Sequence, residues 1–192
     1  MNNENVEVIN ITRLLGTILT EDLKWDANTK NIVKRANARM ELLSRVASFG
    51  TPAVDLKTIY ILFIRSILEQ SATVWHSSLT EENISDIERV QKSAIKVILD
   101  DKYNGYLNGL AQLGLENLNE RREHLCEQFA KKCVKNQKLK HMFPKSENKH
   151  EMETRNKEVY LVEHANTERF QKSAIIYMQK LLNKYETEQN KN

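Results

Sequence analysis

The sequence predicts a mainly α fold, a multi-helix bundle gathered around a central helix, with a short β-hairpin at the N-terminus. Three observations predict it. Only two prolines and five glycines occur in 192 residues, which leaves long stretches free to be helical and disfavours a sandwich or barrel. In residues 55–68 the apolar side chains Leu56, Ile59, Tyr60, Phe63, Ile64, Ile67 and Leu68 recur at i, i+3 and i+4, a spacing that only a helix gathers on one side. Residues 5–19 are instead rich in β-branched side chains, with a loose alternation at Val6 and Val8 that resumes at Leu14, the pattern of short strands.

Each element has its own reason. The two N-terminal strands are expected to meet around residues 10–13. Gly16 then falls inside the second strand and marks a bulge or a close backbone approach. Trp25 is expected to anchor the hairpin on the first helix. That helix spans about 28–48, with Ile32, Val33, Ala36, Met40, Leu43 and Ala47 inward and Lys30, Lys34, Glu41 and Arg45 outward. Gly50 ends it, and Pro52 starts the next helix with Thr51 as cap. In the central helix Ile61 and Leu62 widen the apolar stripe, which predicts enclosure by other helices, while Arg65 and Glu69 can pair across one turn.

Thr80 reads as the N-cap of a helix reaching Leu99, buried along Ile84, Ile87, Val90, Ala94, Ile95 and Ile98. Glu88 and Lys92 are expected to pair on its outer face. A turn at 100–105, a short helix over 106–113 and a stop at Gly114 follow. Asn117 with Glu120 resembles a capping box for a helix that buries Leu118, Leu125, Phe129 and Val134. Residues 142–157 are polar and aperiodic and read as a mobile linker. A last helix begins near Glu168 on a face of Phe170, Ala174, Tyr177, Leu181 and Tyr185, and its tail is expected to fray. The resulting organisation is a hairpin (1–24), a helical domain (25–141), a linker (142–157) and a terminal helix (158–192).

Composition narrows the function. Formal net charge is +3, mildly basic and compatible with nucleic acid without being diagnostic. The two cysteines, Cys126 and Cys133, lie seven apart on one helix, about 10 Å along its axis and too far for a mutual disulfide. Without a cysteine framework, a signal core or an 18-residue apolar run, the expectation is an intracellular chain, neither secreted nor membrane-bound. No catalytic, cofactor or metal residue is assigned. The adjacent carboxylates Asp100 and Asp101 read as a solvated turn, the histidines as scattered surface residues without zinc spacing, and the cysteines as buried thiols. Phosphate loops, nucleophile elbows and HExxH motifs do not occur in the sequence.

Basic residues are the remaining signal. Lys30, Lys34 and Arg45 on one helix, Arg89, Lys92 and Lys96 on another, and Lys131, Lys132, Lys135, Lys138 and Lys140 on a third could together face phosphates. The alternative is that they solvate outer helix faces, since Glu41, Glu88 and Glu127 interrupt the clusters. Trp75 and Tyr60 read as core.

Taken in order, LLGTILTEDLKWD, NIVKRANARMELLSRV, LKTIYILFIRSILEQSATVWHSSL, ISDIERVQKSAIKVIL and LAQLGLENLNERREHL resemble the region that follows the polymerase palm in jockey-like non-LTR retrotransposon reverse transcriptases. The resemblance covers about residues 10 to 135, and the closing NTERFQKSAIIYMQKLLN is similar to the end of many such elements. It implies that residues 5–20 correspond to the primer-grip hairpin, with Leu15 and Gly16 at the family's Leu-Gly, and that the following helices correspond to the thumb and connector. A thumb of that kind holds a template–primer duplex by its backbone. Leu14 stands where the family usually has an aromatic residue. The Tyr-x-Asp-Asp loop that supplies metal-binding carboxylates is absent from the sequence, so the two-metal step has no ligands here. The resemblance therefore implies a fragment or relict, non-catalytic on its own, whose partners are RNA or an RNA/DNA duplex, or a palm domain. Residues 25–98 also resemble the N-terminal segment of some AlkB-type tRNA-modifying proteins, without the iron-binding His-x-Asp. A helical protein-interaction module is the reading from another class.

Overall fold

A computed structural model describes residues 9–146, 159–164 and 166–189. Val6 and Val8, most of the expected linker (147–157, with His150) and the last three residues lie outside the described residues. The elements in order are β1 (Ile11–Leu14), β2 (Thr17–Thr20), α1 (Asp26–Ser48), α2 (Ala53–Ile59), a π-helical stretch (Tyr60–Arg65), α3 (Ser66–Leu68), α4 (Ala72–Trp75), α5 (Glu81–Leu99), α6 (Tyr106–Leu113), α7 (Leu118–Lys135), α8 (Glu168–Gln171) and α9 (Ala174–Gln189). The fold is mainly α with one antiparallel hairpin. Among the described residues, no helix is long and apolar enough to cross a membrane. The chain forms two compact units: Met1–Ser71 with Leu79–Leu118, and Ala72–Ser78 with Asn119–Asn192. A boundary at residue 141 does not appear, because α7 packs with the C-terminal segment.

In the first unit the hairpin sits later than its alternation suggests. The expected turn at 10–13 is largely strand β1, and the true turn is Leu15–Gly16, with φ of 49° and 85°. Two consecutive positive φ values make the mirror-image turn that matches strand twist. Gly16 therefore belongs to the turn. Its close approach is real, since a Cβ there would lie 2.4 Å from Gln70 Nε2. That amide also donates to the Leu15 carbonyl at 3.3 Å. β2 lies on α1, where the Ile18 N–H donates to the buried Asn28 Oδ1 at 3.1 Å. Trp25 is buried immediately before α1. Thr51 does not cap α2: its hydroxyl turns back to the Val46 carbonyl at 2.8 Å, and Pro52 takes the N-cap position.

The expected central helix is interrupted and only half enclosed. Leu56, Tyr60, Ile64 and Leu68 are fully buried, whereas Leu62 and Phe63 are 60% and 50% exposed. A buried step of four overshoots an α-helical turn by about 40°, so a strict four-residue stripe would spiral off the core. The π-helical turn closes on i+5 and falls short by a similar amount, which returns the stripe to one face. α5 begins as expected, with Thr80 Oγ1 accepting from Asn83 N at 3.2 Å, and α6 ends at Gly114 in the left-handed region.

In the second unit the buried stripe of α7 is Arg122, Cys126, Ala130 and Cys133, while Phe129 is 40% exposed. The expected Leu125–Phe129 face is thus rotated outward. Similarly, α9 buries Ile176, Met178 and Leu182, Phe170 is exposed, and the helix continues to Gln189 where fraying was expected. Residues 142–146 are not linker. Phe143 is buried in a cluster with Cys126, Cys133, Tyr160, Met178 and Leu182. Lys145 bridges Tyr160, with Ser146 N donating to the Val159 carbonyl at 2.9 Å and Leu161 N to the Pro144 carbonyl at 2.9 Å. Replacing Phe143 by Ala should therefore lower unfolding stability by about 3 kcal/mol, as for a core aromatic; a change within 0.5 kcal/mol in urea melts would return this segment to the linker.

Candidate nucleic-acid interface

Each unit holds a buried polar cluster. In the first unit Gln91, fully buried on α5, accepts from Tyr60 Oη at 2.5 Å. Its Nε2 donates to Tyr106 Oη at 2.9 Å and to the Glu116 carbonyl at 2.9 Å. Tyr106 Oη in turn donates to Glu88. Both Glu88 oxygens receive the Leu118 N–H, at 3.2 and 3.0 Å, which satisfies a helix N-terminus with a negative charge. Glu88 therefore points inward and does not pair with Lys92. Burial, and for Tyr106 also the bond to Glu88, pushes the Tyr60 and Tyr106 hydroxyls up, so both stay protonated. The hydrogen-bonding capacity of this cluster is spent on its own members, and it is scaffold.

The second unit holds Trp75, His76, Arg122 and Tyr177. Arg122, fully buried, donates Nε–H to His76 Nδ1 at 3.4 Å, and its guanidinium lies 5.8 Å from the Trp75 ring. His76 Nε2 is 3.4 Å from Tyr177 Oη. His76 is thus a core residue and not a surface histidine. Burial, reinforced by the Arg122 charge, holds its pKa down to about 4. The neutral imidazole accepts from Arg122 at Nδ1, which leaves its proton on Nε2 toward Tyr177. Burial also pushes Cys126 up to about 12 and raises Cys133, so neither is a reactive thiolate. Among the described residues, no group of three His, Cys, Asp or Glu side chains could hold a metal ion.

The basic residues sort by what already occupies them. Leu15 is 88% exposed at the hairpin tip, with Gly16 beside Gln70. On α1 Lys30, Lys34 and Arg45 are exposed along the outer face, Arg45 paired with Glu41 at 2.5 Å. On α5 Arg89 pairs with Asp86 at 2.9 Å. Lys92 lies 5.2 Å from the Tyr106 ring and Lys96 5.6 Å from Tyr103, cation–π contacts that leave both heads at the surface. These two ridges belong to the first unit. The α7 group belongs to the second.

Lys131 is not a free charge. It is half-buried, bonded to Glu127 at 2.5 Å and 3.2 Å from the Tyr185 ring. Burial is the largest single influence and lowers its pKa, but the bond to Glu127, the Glu127 charge and Tyr185 together outweigh it and the net shift is upward. Lys132 and Lys135 are exposed, as are Lys138 and Lys140 on the following turn. Leu139, Met142 and Phe143 pin that turn to the core, and Gln179 Nε2 holds the Met142 carbonyl at 2.9 Å. Residues 128–146 contain six lysines and no Asp or Glu. None of Lys132, Lys135, Lys138 and Lys140 has an ion-pair partner among the described residues. Lysines along the expected linker margin were legible as charge in the sequence; their fixed seating on a folded turn was not.

Scanned against family profiles, characterised proteins and solved structures, the chain matches none of them.

His76 supplies a pH test. Its folded pKa is depressed, so its contribution is intact above the ordinary value of 6.5 and is lost as pH falls toward 4. Relative to a His76→Gln variant, the wild-type chain should lose about 2–3 kcal/mol of stability between pH 7.5 and pH 4.5. Parallel urea midpoints for the two proteins across that range would contradict the buried neutral imidazole.

Proposed function

We propose that this chain is a fragment or relict of a jockey-like non-LTR reverse transcriptase, thumb- and connector-like in its helices, acting as a non-catalytic binder of nucleic-acid backbone. The observation that carries the binding half of this reading is the acid-free lysine turn that closes α7. Four exposed ammonium groups without ion-pair partners among the described residues attract a polyanion and carry no base-reading geometry. The motif order set out above carries the ancestry. Lys30, Lys34, Lys92 and Lys96 add exposed cations in the other unit, and the Arg45 and Arg89 guanidinia are partly committed to Glu41 and Asp86.

Binding of this kind is indifferent to sequence and weakens steeply with salt. Fluorescence anisotropy with an RNA/DNA duplex should give a slope of log K against log salt of about −3 to −4, the value for roughly four phosphates neutralised. Changing Lys132, Lys135, Lys138 and Lys140 together to Gln should lower affinity at least tenfold at low salt and flatten that slope. Lys131→Gln should leave the slope nearly unchanged. Absence of binding at micromolar protein in low salt would leave only the ancestry, and magnesium-dependent primer extension by this chain alone would overturn the non-catalytic reading.

A further inference from the structure

The chain contains two Asn-Gly pairs, Asn104–Gly105 at the entry to α6 and Asn108–Gly109 inside it. In such a pair the glycine nitrogen can swing onto the asparagine side-chain carbonyl, because no Cβ stands in the way. Both asparagines are exposed, so exposure does not separate them. The glycines do. The Gly109 N–H donates to the Gly105 carbonyl at 2.9 Å. Gly109 is also buried against α5, where a Cβ would lie 2.5 Å from Ile95 Cγ2. Its nitrogen is fixed in the helical ladder and cannot turn toward Asn108. Gly105 instead has a φ of 123°, ahead of the helix, and nothing lies within 4 Å of where a Cβ would stand. Its N–H meets no backbone acceptor among the described residues.

We propose that Asn104 is a site of spontaneous modification, converting through a cyclic imide to isoaspartate, and that the fold withholds the same reaction from Asn108. The Gly105 nitrogen attacks Asn104 Cγ. The N–Cγ bond forms, the Cγ–Nδ2 bond breaks, and the Gly105 amide proton leaves with Nδ2 as ammonia. Gln112 Nε2 lies 3.5 Å from Asn104 Oδ1, the oxygen that carries the negative charge during attack. Water then opens the ring. Opening at Cγ gives aspartate; opening at the backbone carbonyl carbon gives isoaspartate, with the chain routed through Cγ. Water is the one co-reactant. Either product adds a negative charge next to Tyr103, whose ring holds Lys96. Isoaspartate also lengthens the backbone by one carbon just before Gly105, the N-cap of α6. Tyr106 follows at once, with its hydroxyl in the Gln91 and Glu88 cluster. The α-carboxylate freed in isoaspartate is the group that isoaspartyl methyltransferases esterify, which gives the product a specific probe.

The test incubates the folded protein at neutral pH and physiological temperature, digests it with trypsin and labels the peptides with isoaspartyl methyltransferase and radioactive S-adenosylmethionine. One tryptic peptide, 103–121, carries both pairs, and fragment ions split between Leu107 and Asn108 assign the product to one of them. Asn104 should convert at least about tenfold faster than Asn108, whose glycine N–H is released only by local opening of the helix. In guanidinium chloride, with neither pair folded, the two rates should become similar. Asn104→Gln should reduce methyl acceptance in this peptide to the Asn108 background while the far-ultraviolet circular dichroism is unchanged. Equal rates at the two pairs in the folded chain, an Asn104 rate that rises on unfolding as much as that of Asn108, or methyl acceptance that survives Asn104→Gln would each overturn the proposal.

Discussion

The first unit depends on one buried amide. Gln91 has no exposed surface, and its side chain serves Tyr60, Tyr106 and the Glu116 carbonyl at once. A buried polar group without partners would cost on the order of 1–3 kcal/mol for each lost bond, so the π-helical stretch, α6 and the chain before α7 are all held to positions where these bonds exist. Glu88, one turn earlier, applies the same constraint to the Leu118 N–H. Apolar packing brings these helices together, and the polar cluster fixes their registration.

That cluster explains both what could be read from the sequence and what could not. Apolar periodicity located α1 and α5, and local chemistry located the Thr80 cap and the Gly114 stop of α6, because those signals are carried by neighbouring residues. The faces of α7 and α9 were misplaced for the opposite reason. Arg122 and Gln179 occupy buried positions that a search for apolar residues leaves out, while Phe129 and Phe170, which it counts, are exposed. His76 was read as a surface residue because the histidines lack zinc spacing, a test of ligation that carries no information about burial. The hairpin turn was missed because Leu15 carries a positive φ without the Asn or Asp that usually announces one.

The basic residues show the same division. Their presence was plain in the sequence, but their availability is a property of the fold. Lys131 is spent on Glu127 and Tyr185, whereas Lys138 and Lys140, one turn beyond the helix, have no ion-pair partner among the described residues, on a backbone that Leu139 and Phe143 anchor to the core. An amphipathic reading of α7 places all of these on one solvated face and cannot rank them.

The π-helical stretch has a consequence for how the chain tolerates change. Its buried contacts at Leu56, Tyr60, Ile64 and Leu68 are spaced four, four and four, and excising one solvent-facing residue such as Leu62 would respace them four, three and four, the alternation of an uninterrupted α-helix. A codon-sized loss at this point is thus absorbed by rewinding a single turn, with the same side chains returned to one face. Length variation that would wreck α5 or α7 is confined here to an adjustment in helical pitch.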